Sequence, residues 1–216
     1  MVGFITSAVA SERLEAIRQE IPPAVELLVV SKKQSPATLI PFIEAGQRLF
    51  GENRVQEALE KWPALRKRFP DCELHLIGRL QTNKVVQSLN VFDAIHSLDR
   101  VKLIEALVKH RRFFRPNFYL LIQVNFAGET QKGGVAPENL TSFIDLCNTQ
   151  QLPIQGLMTL PPQDEDPKPY FEQLKALADK HNLPRISMGM SADYRQAITC
   201  GSTIVRLGTA LFTDSL

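Results

Sequence analysis

The chain predicts a single closed (β/α)8 barrel with one extra helix in front of it, spanning residues 1–216 as one domain. Three observations lead there. Short aliphatic runs recur about every 20 to 30 residues with a helix-patterned stretch between each pair, which is the rhythm of βαβ units. The first of them, Leu27-Leu28-Val29-Val30, has no polar face, as expected of a parallel strand covered on both sides. An open doubly wound sheet could also hold eight strands, but no G-x-G-x-x-G follows the first one.

Taken in order, Thr6 to Glu20 places Val9, Leu14 and Ile17 on one face of an amphipathic helix that Ile21-Pro22-Pro23 ends. The first strand then runs into Ser31 and Lys32, so the lysine lies at a strand's carboxyl end, the rim where α/β proteins keep their chemistry. A helix over Pro36–Ala45 closes at Gly46, and Arg48–Gly51 is the second strand. Glu52 and Asn53 lead into a long helix through Val55, Leu59, Trp62 and Leu65. The alternation continues with strands at Glu73–Gly78, Phe92–His96, Phe118–Val124, Ile154–Met158, Arg185–Ser187 and Thr203–Leu207. Helices are predicted at Thr82–Leu89, Asp99–His110, Pro137–Gln150, Pro167–His181 and Ala192–Cys200, with a glycine-containing loop at Gly128–Gly134.

A net charge of +2 over 216 residues is too mild to call for a nucleic-acid or membrane partner. The basic cluster Lys109–Arg112 reads as a cation-rich last helical turn facing the dipole. Cys72, Cys147 and Cys200 are widely spaced with no C-x-x-C pair, which argues against a disulfide framework or a zinc site and predicts a reducing compartment. The first twenty residues hold no uninterrupted apolar core of a signal peptide, and no run approaches a membrane span. A soluble, cytoplasmic, monomeric protein is the expectation.

Closing the barrel puts the first strand beside the eighth. Barrels of this kind bind phosphate in the loops after strands seven and eight, here Ser187-Met188-Gly189-Met190-Ser191 and Arg206-Leu207-Gly208-Thr209-Ala210. Each offers a glycine that lets the backbone approach an anion and a hydroxyl residue beside it, although Ser191 also suits a helix N-cap. Arg206 interrupts the apolar run Ile204-Val205-Arg206-Leu207, and a guanidinium turned toward the helices would be buried without a partner, so it is predicted to face the barrel mouth. Lys32 on the neighbouring strand, partly desolvated among cations, would keep a fraction of neutral amine able to form a Schiff base with an aldehyde. Pyridoxal 5′-phosphate (PLP) meets both requirements, and so does a sugar phosphate held by a Schiff-base aldolase. These residues leave the two equally placed.

The blocks Leu28–Lys32, Phe50-Gly51-Glu52-Asn53 with Val55-Gln56-Glu57, His75–Lys84, Ser97-Leu98-Asp99, Gln123-Val124-Asn125, Gly156-Leu157-Met158, Ser187–Ser191 with Asp193, and Val205–Thr209 together resemble the pyridoxal phosphate homeostasis protein family. Its members are also called YggS-like proteins or proline synthetase co-transcribed homologues. The resemblance runs from about Leu27 to Phe212. It implies a fold-type III PLP barrel similar to the N-terminal domain of alanine racemase, with Lys32 as the Schiff-base lysine. By the same resemblance Arg206 approaches the pyridine nitrogen, Ser191, Gly208 and Thr209 hold the phosphate, Asn53 lies near the ring, and Met158 and Met188 line the pocket. Asn53 equally suits a helix N-cap, and the methionines equally suit the core.

Three departures stand out: Arg79 where the family commonly has histidine, Lys33-Gln34-Ser35 after the lysine, and Phe212-Thr213-Asp214 without the usual glycine. Lys33 is a rival anchor, which the pleat is expected to turn to the opposite face. An arginine at the pyridine nitrogen favours the unprotonated ring, a poor electron sink. Racemisation needs an acid/base on each face of the substrate, and the chain has only Tyr119, Tyr170 and Tyr194 as tyrosines. The resemblance therefore implies a protein that holds PLP without appreciable turnover, serves vitamin B6 and amino-acid balance, and hands PLP to apo-enzymes. A weak PLP-dependent amino-acid racemase is the alternative, and the aldolase is the third.

Overall fold

Strand β1 (Glu26–Val30) is buried on both faces after its first residue: Leu28 and Val30 belong to the barrel interior, while Leu27 and Val29 pack outward against the helical layer. Such a strand needs neighbours on both edges and covers on both faces, and the chain supplies all four. The computed structural model describes residues 5–128 and 133–213.

Helix α1 (Ser7–Glu20) is capped by Thr6, whose Oγ accepts the Val9 N–H. After β1 come α2 (Pro36–Glu44), β2 (Leu49–Glu52), α3 (Val55–Arg68), β3 (Glu73–Leu76), α4 (Val85–Val91), β4 (Ala94–Leu98) and α5 (Val101–Lys109). The chain continues with β5 (Tyr119–Val124), α6 (Leu140–Thr149), β6 (Ile154–Thr159), α7 (Lys168–Lys180), β7 (Arg185–Ser187), α8 (Tyr194–Thr199), β8 (Ile204–Leu207) and α9 (Thr209–Phe212). The strands form one closed barrel in sequence order, parallel throughout. β1 meets β8 with Leu28 opposite Arg206 and Val29 opposite Leu207.

Several boundaries differ from the sequence expectation for physical reasons. Phe92 is the C-cap of α4 rather than the start of a strand, so β4 begins two residues later, at Ala94. Thr82–Lys84 and Pro137–Asn139 are 3₁₀ turns in front of their α-helices, the usual way to tighten a first turn. His110 ends α5 and Arg111–Phe113 form a separate 3₁₀ turn, where Arg111 donates to the Gln150 carbonyl at 2.8 Å and Arg112 stacks on Phe113. The basic cluster thus lies mostly past the helix end. Of the predicted Gly128–Gly134 loop, residues 129–132 are outside the described residues, as is Asp214.

The barrel interior is part apolar and part polar. Leu28, Val30, Ala94, Tyr119, Leu121, Met158 and Ile204 make its apolar cluster, and His75, His96, Ser187 and Arg206 are buried there as well. Strand closure leaves no tolerance at Gly156 on β6, where a Cβ would lie 1.8 Å from the Arg185 carbonyl oxygen of β7. Backbone cannot yield as a flexible side chain can. Gly156→Ala is expected to cost about 3 kcal/mol, read as a lowered urea midpoint; a parental midpoint would show that the β6–β7 contact is looser than described.

Candidate functional site

A cavity of 460 Å³ opens at the carboxyl ends of the strands, and Lys32, Asn53, Ser191, Arg206, Gly208 and Thr209 all line it. That size suits a small cofactor. The seam between β1 and β8 accounts for the convergence, because Leu28 opposite Arg206 brings the loops after both strands to one rim.

Arg206 projects inward as the alternation along β8 requires: Ile204 belongs to the interior cluster, Val205 and Leu207 to the outer core. The residue is 3% exposed, and its guanidinium donates to the Ser187 carbonyl (2.7 Å), the Ser187 hydroxyl (2.7 Å) and the Thr159 carbonyl (2.9 Å). Burial pulls its pKa down to about 10, against the opposing field of Asp193, so it stays charged at neutral pH. Among the described residues no carboxylate pairs with it. A buried cation with only neutral acceptors and an open cavity in front of it is placed to meet an anionic or electron-rich ligand.

Behind Arg206 the bonding continues across the interior. Ser187 Oγ is 3.0 Å from His96 Nδ1, His96 Nε2 is 3.1 Å from His75 Nδ1, and His75 Nε2 is 3.1 Å from Glu73 Oε1. Desolvation first, then the fields of His75 and Arg206, hold His96 well below the usual histidine range, so it is neutral. Because Arg206 donates to Ser187, the hydroxyl proton is free for His96 Nδ1, which assigns the His96 proton to Nε2 and passes the same polarity to His75 and Glu73. The guanidinium is thereby held by a directional chain that ends at the opposite rim of the barrel.

The Lys32 loop is clamped from outside the barrel. Lys61 of α3, 6% exposed, donates to the carbonyls of Ser31 (2.7 Å) and Gln34 (3.1 Å) and pairs with Glu52 (2.7 Å) and Glu57 (2.9 Å). Glu52 is fully buried and also accepts from Ser31 Oγ (2.6 Å) and Trp62 Nε1 (3.2 Å). Burial raises the Glu52 pKa, opposed by hydrogen bonds from Lys61 and Ser31. Glu57 further accepts the Lys33 N–H.

Several sequence expectations change here. β1 stops at Val30, so Lys32 sits in a turn on the open rim and is exposed rather than partly desolvated. Lys33 lies in the same turn with φ 61° and also lines the cavity, so the pleat does not remove it as a rival. Met158 is on the inward face of β6 in the interior cluster, and Met188 follows the inward-facing Ser187 and packs into the outer core; neither lines the cavity. Asn53 does not cap α3, whose N-cap is Arg54; it walls the cavity, and its buried Oδ1 has no hydrogen-bond partner. Ser191 does not cap α8 either, since Asp193 holds that place; its Oγ accepts the Ala210 N–H at 3.3 Å, joining the β7 and β8 loops. Lys61, His75 and His96 were not among the expected site residues. Glu52, Glu57 and His75 fall inside the blocks that carry the resemblance, whereas Lys61 and His96 leave no mark in the sequence pattern.

The model of the alanine racemase N-terminal domain matches residues 5–215. A curated relative from Aquifex aeolicus, called pyridoxal phosphate homeostasis protein, is 44% identical over 229 aligned positions, covering 95% of this chain and 98% of its own. The chain belongs to the pyridoxal phosphate homeostasis protein family. PipY of Synechococcus elongatus PCC7942, solved with PLP bound, is 36% identical with a TM-score of 0.86, covering 94% of this chain and 100% of its own. Alanine racemase from Corynebacterium glutamicum, at 17% identity and TM-score 0.73, covers 98% of this chain and 64% of its own. At that distance it shows the shared fold alone. In this homeostasis-family chain, residues outside the cavity hold the Lys32 turn.

Two consequences of the clamp can be measured. Lys61→Met leaves Glu52 buried without its cation and is expected to cost about 3–5 kcal/mol, and adding Glu52→Gln should recover part of that. In the parent, the raised Glu52 pKa means the folded state binds more protons than the unfolded state above the ordinary carboxylate value of 4.5. Stability from this group therefore falls as pH rises through that window, and Glu52→Gln should flatten the slope in urea titrations; an unchanged slope or a neutral Lys61→Met would contradict the clamp.

Proposed function

We propose that this chain binds PLP in the cavity at the β1–β8 seam, as a Schiff base on Lys32, and holds it for exchange with apo-enzymes rather than for turnover. The observation that carries the reading is Arg206, a buried guanidinium without an ion pair that opens onto the same cavity as the Lys32 turn. The donor set fits the cofactor. Ser191 and Ala192 from one loop and Gly208 and Thr209 from the next share a wall, and Gly208 is so close to Val30 that a Cβ there would lie 3.3 Å from the Val30 Cβ. A phosphate would be held on that wall by backbone N–H groups and hydroxyls. The unpartnered Asn53 Oδ1 marks a further polar position beside it.

When bound, PLP would supply an aldehyde able to condense with the Lys32 amine, with loss of water, in a bond that hydrolysis reverses. The chain's own residues bind and orient. Arg206 has only N–H donors to offer, so it would leave a ring nitrogen facing it unprotonated and weaken electron withdrawal. Lys32, Lys33 and Arg206 are the only ionisable side chains on the described wall. Tyr119 is in the barrel interior against His75, and Tyr194 is spent on Glu20 at 2.6 Å, so neither offers the second face the acid/base that racemisation requires. The open rim around Lys32 favours exchange. We place the protein as a soluble cytoplasmic monomer on the composition reasons above; among the described residues no helix is long and apolar enough to cross a membrane.

The purified protein given PLP should absorb in the violet and lose that band on reduction, and Lys32→Ala should lack it. Loaded protein should restore activity to an apo-transaminase while releasing no α-deuterium from amino acids in heavy water. An equally coloured Lys32→Ala variant would overturn the anchor, and steady deuterium loss would overturn the carrier reading in favour of a racemase.

A further inference from the structure

A second cavity of 730 Å³ lies beside the first at the carboxyl ends of β2 and β3, sharing Asn53 as a common wall. Arg54, Arg79, Lys84 and Arg100 line it together with Gln56 and Gln81, and among the described residues no carboxylate does. One buried carboxylate behind the wall, Asp99, orients two of the cations: Arg79 Nε stands 3.2 Å from its Oδ2, and Arg100 pairs with its Oδ1 while donating to the Leu80 carbonyl at 2.7 Å. That geometry leaves both terminal nitrogens of Arg79 without a partner among the described residues. Arg54 and Lys84 have no ion-pair or side-chain hydrogen-bond partner among the described residues. Among the described residues, four cations against one carboxylate leave three positive charges around a single hollow, a repulsion that an anion would relieve.

We propose that this hollow is a second, non-covalent anion site that takes the dianion of a phosphate monoester. The charge count favours a dianion over a monocarboxylate, and planar guanidinium forks match phosphate oxygens in pairs. Arg79 contributes one of the four charges. The choice of a phosphate ester rests on the reading that the adjoining cavity takes PLP, whose phosphate is largely dianionic at neutral pH. A ligand entering or leaving past Asn53 would then have a station on the way, and its arrival would be steered by a field that salt screens.

The test fills the first cavity by loading PLP and reducing it onto the protein, then titrates inorganic phosphate by calorimetry. The reduced parent should bind one phosphate per chain. Arg54→Ala/Lys84→Ala should weaken that binding at least tenfold while taking up PLP as the parent does, which also verifies its fold. Pyridoxamine 5′-phosphate should compete for the site, and acetate at equal ionic strength should not. No phosphate bound by the reduced parent, parental affinity in the double variant, or displacement by acetate as effective as by the phosphate ester would each overturn the proposal. Failure of the protein to take PLP at all would instead strike the reading of the first cavity. Phosphate titrated into untreated protein would still decide the second, since Arg54→Ala/Lys84→Ala would then remove one site and retain any bound at Gly208 and Thr209.

Discussion

Four consecutive residue pairs between β1 and β8, from Glu26 with Ile204 to Val29 with Leu207, hold the ends of the barrel together. Everything at the mouth depends on that pairing. It is a main-chain interaction between segments nearly the whole chain apart, so it carries a high loop-closure cost that only the packed layers on both faces repay. Once made, it fixes the turn after β1 against the loop after β8. An amine, a guanidinium and two glycine-containing loops then share a cavity that no local stretch of sequence could build.

The site is supported from two directions by buried polar structure. Inside the barrel, the chain Arg206–Ser187–His96–His75–Glu73 fills space that aliphatic layers fill in other barrels, and every link has a partner, as a buried polar network must if it is not to cost more than it returns. Outside the barrel, Lys61 gathers two loop carbonyls and two carboxylates under the Lys32 turn. The first arrangement gives a buried cation neutral acceptors and a fixed direction. The second fixes the turn that carries the exposed Lys32. Rigidity beneath an open rim is consistent with binding that is specific but reversible.

Much of this was legible from the residues in order. The strand rhythm survived because aliphatic runs covered on both sides read the same whatever their neighbours, and Arg206 announced itself by breaking one of them. Other features depend on contacts between elements, which a one-dimensional pattern does not carry. Nothing in its own helix distinguishes Lys61, an apparent surface lysine of α3, from Lys67, and its burial follows from where β2 places Glu52. The resemblance puts Met188 on the pocket lining, but the pleat gives the inward position to Ser187. The pleat misled at Lys33, where the strand has already ended and a left-handed backbone returns the side chain to the cavity wall. Phe92 was misread because a helix C-cap buried against the barrel has the same apolar character as a strand's first residue.

The central claim is that the turn after β1 presents Lys32, and not a neighbouring lysine, to a phosphate-bearing aldehyde held by the β7 and β8 loops. The most direct measurement is borohydride trapping of PLP on the full-length protein followed by peptide mass mapping. The account predicts one pyridoxyl group per chain, on the peptide containing Lys32 and fragmenting to that residue. An adduct on Lys33, or on Lys84 in the neighbouring basic hollow, would contradict it.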